Sequence, residues 1–144
     1  MRKRLSIAAA ITVLAILANA QTKADRSLQV KLNYTGAGTV DDKHKIMVFL
    51  FDSPDFAGGN VMPIGSESAT AKGQTVTFSN LSASPVYVVA VFDPKGEYDG
   101  MSMPPSGSSL GLYATQDGKP NPINLESGKA SQISLPFDDS TKMP

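Results

Sequence analysis

The chain has 144 residues carrying 13 basic and 13 acidic side chains, one histidine, no cysteine and no tryptophan. That length suits one domain, and a hydrophobic fraction of 41% with 18% charged residues belongs to a globular chain. The composition excludes a disulfide framework, a thiolate zinc site, a cysteine nucleophile and, within one chain, a multi-histidine metal centre.

Residues 1–20 read as a cleaved export signal. Arg2, Lys3 and Arg4 form a positive head, Ile7–Leu17 is an apolar run broken only by Thr12, and Ala18-Asn19-Ala20 supplies a small-x-small processing site with cleavage after Ala20. A membrane anchor is the competing reading, but such a run rises only about 16 Å as a helix, against a hydrocarbon core of about 30 Å. Removing 1–20 takes three of the 13 basic residues and leaves a net charge near −3. No basic cluster remains, so neither nucleic acid nor an anionic membrane surface is an expected partner. The expected location is periplasmic or secreted, with no membrane anchor after cleavage.

Residues 21–27 are polar and expected to be a loose terminus. Beyond them the dominant period is two. Leu28, Val30, Leu32 and Tyr34 alternate with Gln29, Lys31 and Asn33, the signature of a strand with one wet face. Ile46–Phe51 is apolar throughout, which suits a central strand covered on both faces. A single helical turn is expected near Ser53–Ala57. Gln74–Phe78 alternates again, and Pro85–Phe92 is the strongest strand. Leu110–Tyr113 and Ile123–Leu125 are shorter candidates, and Gln132–Phe137 closes the series, followed by a tail over 138–144. Gly, Pro, Asn and Asp clusters separate these runs. About seven short strands over 28–137 predict an all-β domain, an antiparallel Greek-key sandwich with a barrel as the alternative. Asp93–Ser109 is the longest expected irregular stretch and so the first place to look for function.

Gly73-Gln74-Thr75-Val76-Thr77-Phe78-Ser79-Asn80-Leu81, followed by Val86-Tyr87-Val88-Val89-Ala90-Val91-Phe92-Asp93, resembles a pattern of transthyretin-like domains. That group includes the carboxypeptidase regulatory-like modules and exported bacterial proteins of similar length. The loop Asp93–Gly100 and Pro104-Pro105-Ser106-Gly107 are similar to the acidic, glycine-containing loop and proline-glycine segment of those bacterial proteins. Ser84-Pro85-Val86 stands where the family usually has a glycine before the aromatic residue. The resemblance implies a prealbumin-like sandwich serving as an accessory, binding or structural module, seldom catalytic.

Asp93, Glu97 and Asp99 place three carboxylates around Gly96, a composition that can offer oxygens to calcium, although Lys95 stands where a calcium loop wants Asp or Asn. The plain alternative is a polar loop. Met101 and Met103, with Met62 and Met143 elsewhere and His44 as the sole imidazole, are candidate ligands for copper; the ordinary role of the methionines is flexible apolar filling. His44 follows Asp41 at a strand entrance, without the sequence context of a nucleophile. Asp138-Asp139-Ser140 is expected to solubilise the chain end. Tyr98, Met101, Met103 and Tyr113, in or beside the long loop, are the ligand-binding candidates. The expected function is a non-catalytic binding or structural module without a cofactor, contacting a protein partner of the cell envelope. Weak calcium binding, carbohydrate binding and hydrolysis by loop carboxylates are the alternatives.

Overall fold

The computed structural model describes residues 25–144; the expected export segment over 1–20 and the expected processing site lie outside them. The chain is nearly all-β. Seven strands follow in order: β1 (Arg26–Tyr34), β2 (Ile46–Phe51), β3 (Gly65–Ala69), β4 (Thr75–Leu81), β5 (Tyr87–Phe92), β6 (Ser109–Leu112) and β7 (Ala130–Phe137). They form a three-stranded sheet, β4-β1-β7, and a four-stranded sheet, β3-β2-β5-β6. Among the described residues no helix is long and apolar enough to cross a membrane.

Alternation decides which side chains meet between the sheets. Leu28, Val30 and Leu32 of β1 and Leu135 and Phe137 of β7 come from one sheet, and Val48, Leu50, Val88, Ala90 and Phe92 come from the other. They form one buried cluster, in which Leu28, Val48 and Val88 are wholly inaccessible. Tyr34 joins the aromatic end of this core, its ring 4.9 Å from those of both Phe92 and Phe137.

The expected turn after β2 is present as a 3-10 turn, Pro54–Gly58. Ser53 caps it by accepting a hydrogen bond from the Asp55 N–H, and Pro54 occupies its first turn, where a missing N–H costs nothing. Gly59 ends it with φ of 74°.

Several expectations need correction. The strand β3 had no counterpart in the hydrophobic pattern, because Gly65-Ser66-Glu67-Ser68-Ala69 has one buried side chain, Ala69. It is a strand because β2 offers it an antiparallel ladder from Ile46↔Ala69 to Leu50↔Gly65. Ile123–Leu125 is not a strand. Ile123 makes one bridge to Val86, and Ile123 and Leu125 bury their side chains as plugs at the core's edge. The strand pairing is not wholly antiparallel, since β1 and β7 pair in parallel along Ser27↔Ala130 to Tyr34↔Phe137. Parallel neighbours need a long crossover, and here everything between the two strands supplies it. Arg26 and Ser27 belong to β1 and not to a loose terminus. The tail beyond Phe137 is structured. The Leu110 N–H donates to the Thr141 carbonyl, the Met143 N–H to Ser108 and the Gly107 N–H to Met143, at 2.9 Å each.

Candidate functional site

The two sheets present unlike outer faces. That of β4-β1-β7 is polar: Gln29 and Lys31 of β1 lie beside Thr75 and Thr77 of β4 and Gln132 and Ser134 of β7. On the other sheet, register places Met47, Phe49 and Phe51 opposite Val91, Val89 and Tyr87, and places Val91 and Val89 opposite Leu110 and Leu112. That outer face carries no charge on its three adjacent strands β2, β5 and β6. A solvated antiparallel face ordinarily alternates to polar residues, so this one is an exception that calls for a cover.

Two loops cover it in part. At one end the loop after β5 folds back across β2. Asp93, 4% exposed, holds this loop with both carboxylate oxygens. Its Oδ1 accepts from the Lys95 N–H at 2.9 Å, and Oδ2 accepts from the N–H groups of Glu97 and Tyr98 at 2.8 and 3.0 Å. Gly96 turns with φ of 69°, where a Cβ would lie 2.5 Å from the Lys43 carbonyl oxygen. The chain then lays the Tyr98 ring against Phe49, 6.1 Å between centroids, with its hydroxyl donating to the Ser102 carbonyl at 3.1 Å. Burial, and secondarily the charge of Asp99, raises the Tyr98 pKa. At the other end Phe56 stacks on Phe51 at 4.7 Å.

Between these covers an open groove of about 660 Å³ runs over Val89, Leu110 and Leu112, with Phe56 on its rim, and around the edge of β6 to Phe137 and Asp138. Elsewhere on the surface four large apolar side chains stand exposed: Met101 is 87% accessible, Met62 78%, Met103 69% and Ile64 41%. Exposed apolar area of this kind marks interaction surfaces, and methionine supplies an adaptable one.

Of the ligand-binding candidates, Tyr98, Met101 and Met103 share one loop, with Tyr98 packed on the outer face and both methionines in solvent. Tyr113 is not with them. One residue beyond Leu112, it turns to the opposite face and packs against the core cluster, its N–H donating to the Val88 carbonyl.

The acidic loop residues are spent differently from a cation cage. Asp93 is committed to three backbone N–H groups, and Asp99 accepts from the Met101 N–H at 2.9 Å. Among the described residues no group of three or more His, Asp or Glu side chains is placed to hold a metal ion. Calcium at 1 mM is therefore expected to raise the melting temperature by no more than about 3 °C. A Kd near 1 mM contributes about 0.4 kcal/mol at that concentration. Differential scanning calorimetry checks this, and a rise above about 10 °C would mean that the loop reorganises around the ion.

His44 lies 2.8 Å from Asp41 through Nδ1, and the same Asp41 oxygen accepts from the N–H groups of Lys43 and His44. The hydrogen bond from His44 leads the effects that lower the Asp41 pKa. This closes the turn that enters β2, as a strand entrance requires.

Asp139 was expected to solubilise the chain end. Instead its Oδ1 accepts from the Tyr34 hydroxyl and the Ser109 hydroxyl at 2.6 Å each, and Oδ2 accepts from the Ala37 N–H at 2.9 Å. The Ser109 bond, then those from Tyr34 and Ala37, lower its pKa to about 2. Burial, with a smaller contribution from Asp139, raises that of Tyr34. Three distant segments meet at this carboxylate, and no local pattern announces it.

Comparison of the chain with protein-family models, with curated proteins and with solved structures gives no match.

Proposed function

We propose that this chain is an exported, non-catalytic interaction module of the cell envelope. In this reading it is a prealbumin-like Greek-key sandwich that binds another protein through the outer face of β3-β2-β5-β6. One observation carries it: the two outer faces are chemically opposite. Thr75, Thr77, Gln132 and Ser134 make one compatible with water, while Val89, Leu110 and Leu112 line an open apolar groove on the other. The groove offers apolar side-chain pockets to an extended partner segment laid across β5 and β6. The signal-like pattern of 1–20 supports the export half of the reading.

A photo-crosslinking residue placed at Leu112 or Met101, in the native envelope, should capture a discrete protein adduct. The same probe at Thr77 on the polar face should not. Adducts from Thr77 equal to those from Leu112, or none from Leu112 and Met101, would overturn the assignment of the face.

A further inference from the structure

Four strands end the two sheets, and three of their edges are protected. The β3 edge is short, five residues, and carries the exposed Glu67. The β6 edge is covered by the tail, through the Leu110 bond to Thr141 and the Ser109↔Lys142 bridge. The β4 edge is broken by a register shift opposite Arg26–Leu28 and by Asn80 in the left-handed region, φ 56°. Short edges, charges, covers and bulges are the devices that keep sheet edges from pairing with other chains.

The β7 edge has almost none of them. It runs eight residues, Ala130-Ser131-Gln132-Ile133-Ser134-Leu135-Pro136-Phe137, without a charged side chain. Its ladder with β1 is unbroken from Ala130 to Phe137. The Thr35 N–H donates to the Phe137 carbonyl, so Phe137 and alternate residues before it direct their backbone groups toward β1. Ala130, Gln132, Ser134 and Pro136 therefore direct theirs outward. Pro136 agrees with that phase, since its missing N–H falls on the open side.

We propose that this edge pairs antiparallel with β7 of a second copy of the chain, about a two-fold axis at Gln132. That register sets Gln132 opposite itself and Ala130 opposite Ser134, giving about six main-chain hydrogen bonds. It leaves Pro136 just outside the ladder, where its lack of a donor costs nothing. A β7–β7 pair opposes no like charges, because β7 has none. Of the two nearest cations, Lys129 precedes the strand and is paired with Glu126 at 2.6 Å, and Lys31 lies one strand further in, opposite Ser134. The two copies' Lys31 residues are then at least about 14 Å apart and their Lys129 residues about 20 Å apart along the ladder, beyond the screening length of physiological salt. On the inner side Ile133, half-buried against the core, lies diagonal to its symmetry mate and is covered by it. On the outer side Gln132 already donates to Gln29 at 2.6 Å, which leaves its amide oxygen free to accept across the axis.

Sedimentation velocity of the full chain between about 5 and 100 µM tests this. The wild type should form a dimer in that range. Ser134→Pro removes an outward N–H and leaves the β1 ladder intact, while Gln132→Lys sets two ammonium groups against each other at the axis. Both variants should be monomers, weakened at least about tenfold in self-association, with unchanged far-ultraviolet circular dichroism. A wild type that stays monomeric at about 100 µM overturns the proposal. So does a dimer that survives both substitutions. A dimer abolished by Leu112→Asp and not by the β7 variants would assign self-association to the apolar groove instead. Crosslinking from Leu112 to a foreign protein is unaffected by any of these results, so the two readings fail separately.

Discussion

Val88→Asp should leave the chain largely unfolded at 25 °C. Val88 is wholly buried, the second residue of β5, a strand that lies between β2 and β6. A carboxylate there has no partner, and burying an unpaired polar or charged group costs several kcal/mol. That is a large part of a typical stability of about 5–15 kcal/mol. Its neighbour provides the control. Val89 points to the outer face and lines the open groove, so Val89→Asp keeps its charge in water and should cost less than about 2 kcal/mol. Urea unfolding of the two variants reads the difference directly. Equal stability for both would mean that the phase of β5, and with it the division into core and outer faces, is wrong.

Asp139→Ala is expected to be the most damaging substitution outside the core. It removes the acceptor of the Tyr34 and Ser109 hydroxyls and of the Ala37 N–H. Leaving such donors without a partner costs about 2–4 kcal/mol, or roughly 8–16 °C in melting temperature for a domain of this size. The same carboxylate sets an acid dependence. Its folded pKa of about 2 lies below the ordinary aspartate value of 3.8. The stability it contributes is complete above the unfolded pKa, near pH 4, and is lost as pH falls through about 2. After allowance for its contact with water, the amount is about 1–2 kcal/mol. Asp139→Asn should flatten that dependence, and Tyr34→Phe should be non-additive with it. An Asp139→Ala variant that melts within about 1 °C of the parent would remove this carboxylate from any account of stability.

How much could be read beforehand depends on the range of the interaction concerned. The cores of β1, β4 and β7 follow from alternation and those of β2 and β5 from unbroken apolar runs, both local properties, and the turn after β2 follows from Ser53 and Pro54. What alternation does not carry is pairing. Gly65–Ala69 becomes a strand only because the β2 edge is there to hold it, and the parallel sense of β1 and β7 is invisible to periodicity. Asp139 needs Tyr34 and Ser109, residues far from it in the chain, to become more than a surface charge. Of the ligand-binding candidates, that Tyr98, Met101 and Met103 lie together was legible because one loop carries all three. Tyr113 went astray by one residue of phase, which in a strand exchanges the two faces. The carboxylates near Asp93 suggested a cation because composition counts oxygens and cannot show that backbone N–H groups already occupy them.

The parallel pairing of β1 with β7 also governs when the protein can fold. The middle strand of one sheet has its largest ladder with the last strand to be synthesised, so β1 stays without that partner until nearly all of the chain is available. Contacts of such long sequence separation fold slowly and expose apolar strands in the meantime. Under the export proposed above, the delay would be useful: β1 with β4 alone makes no stable sheet, and the segment remains threadable until β7 emerges and completes it.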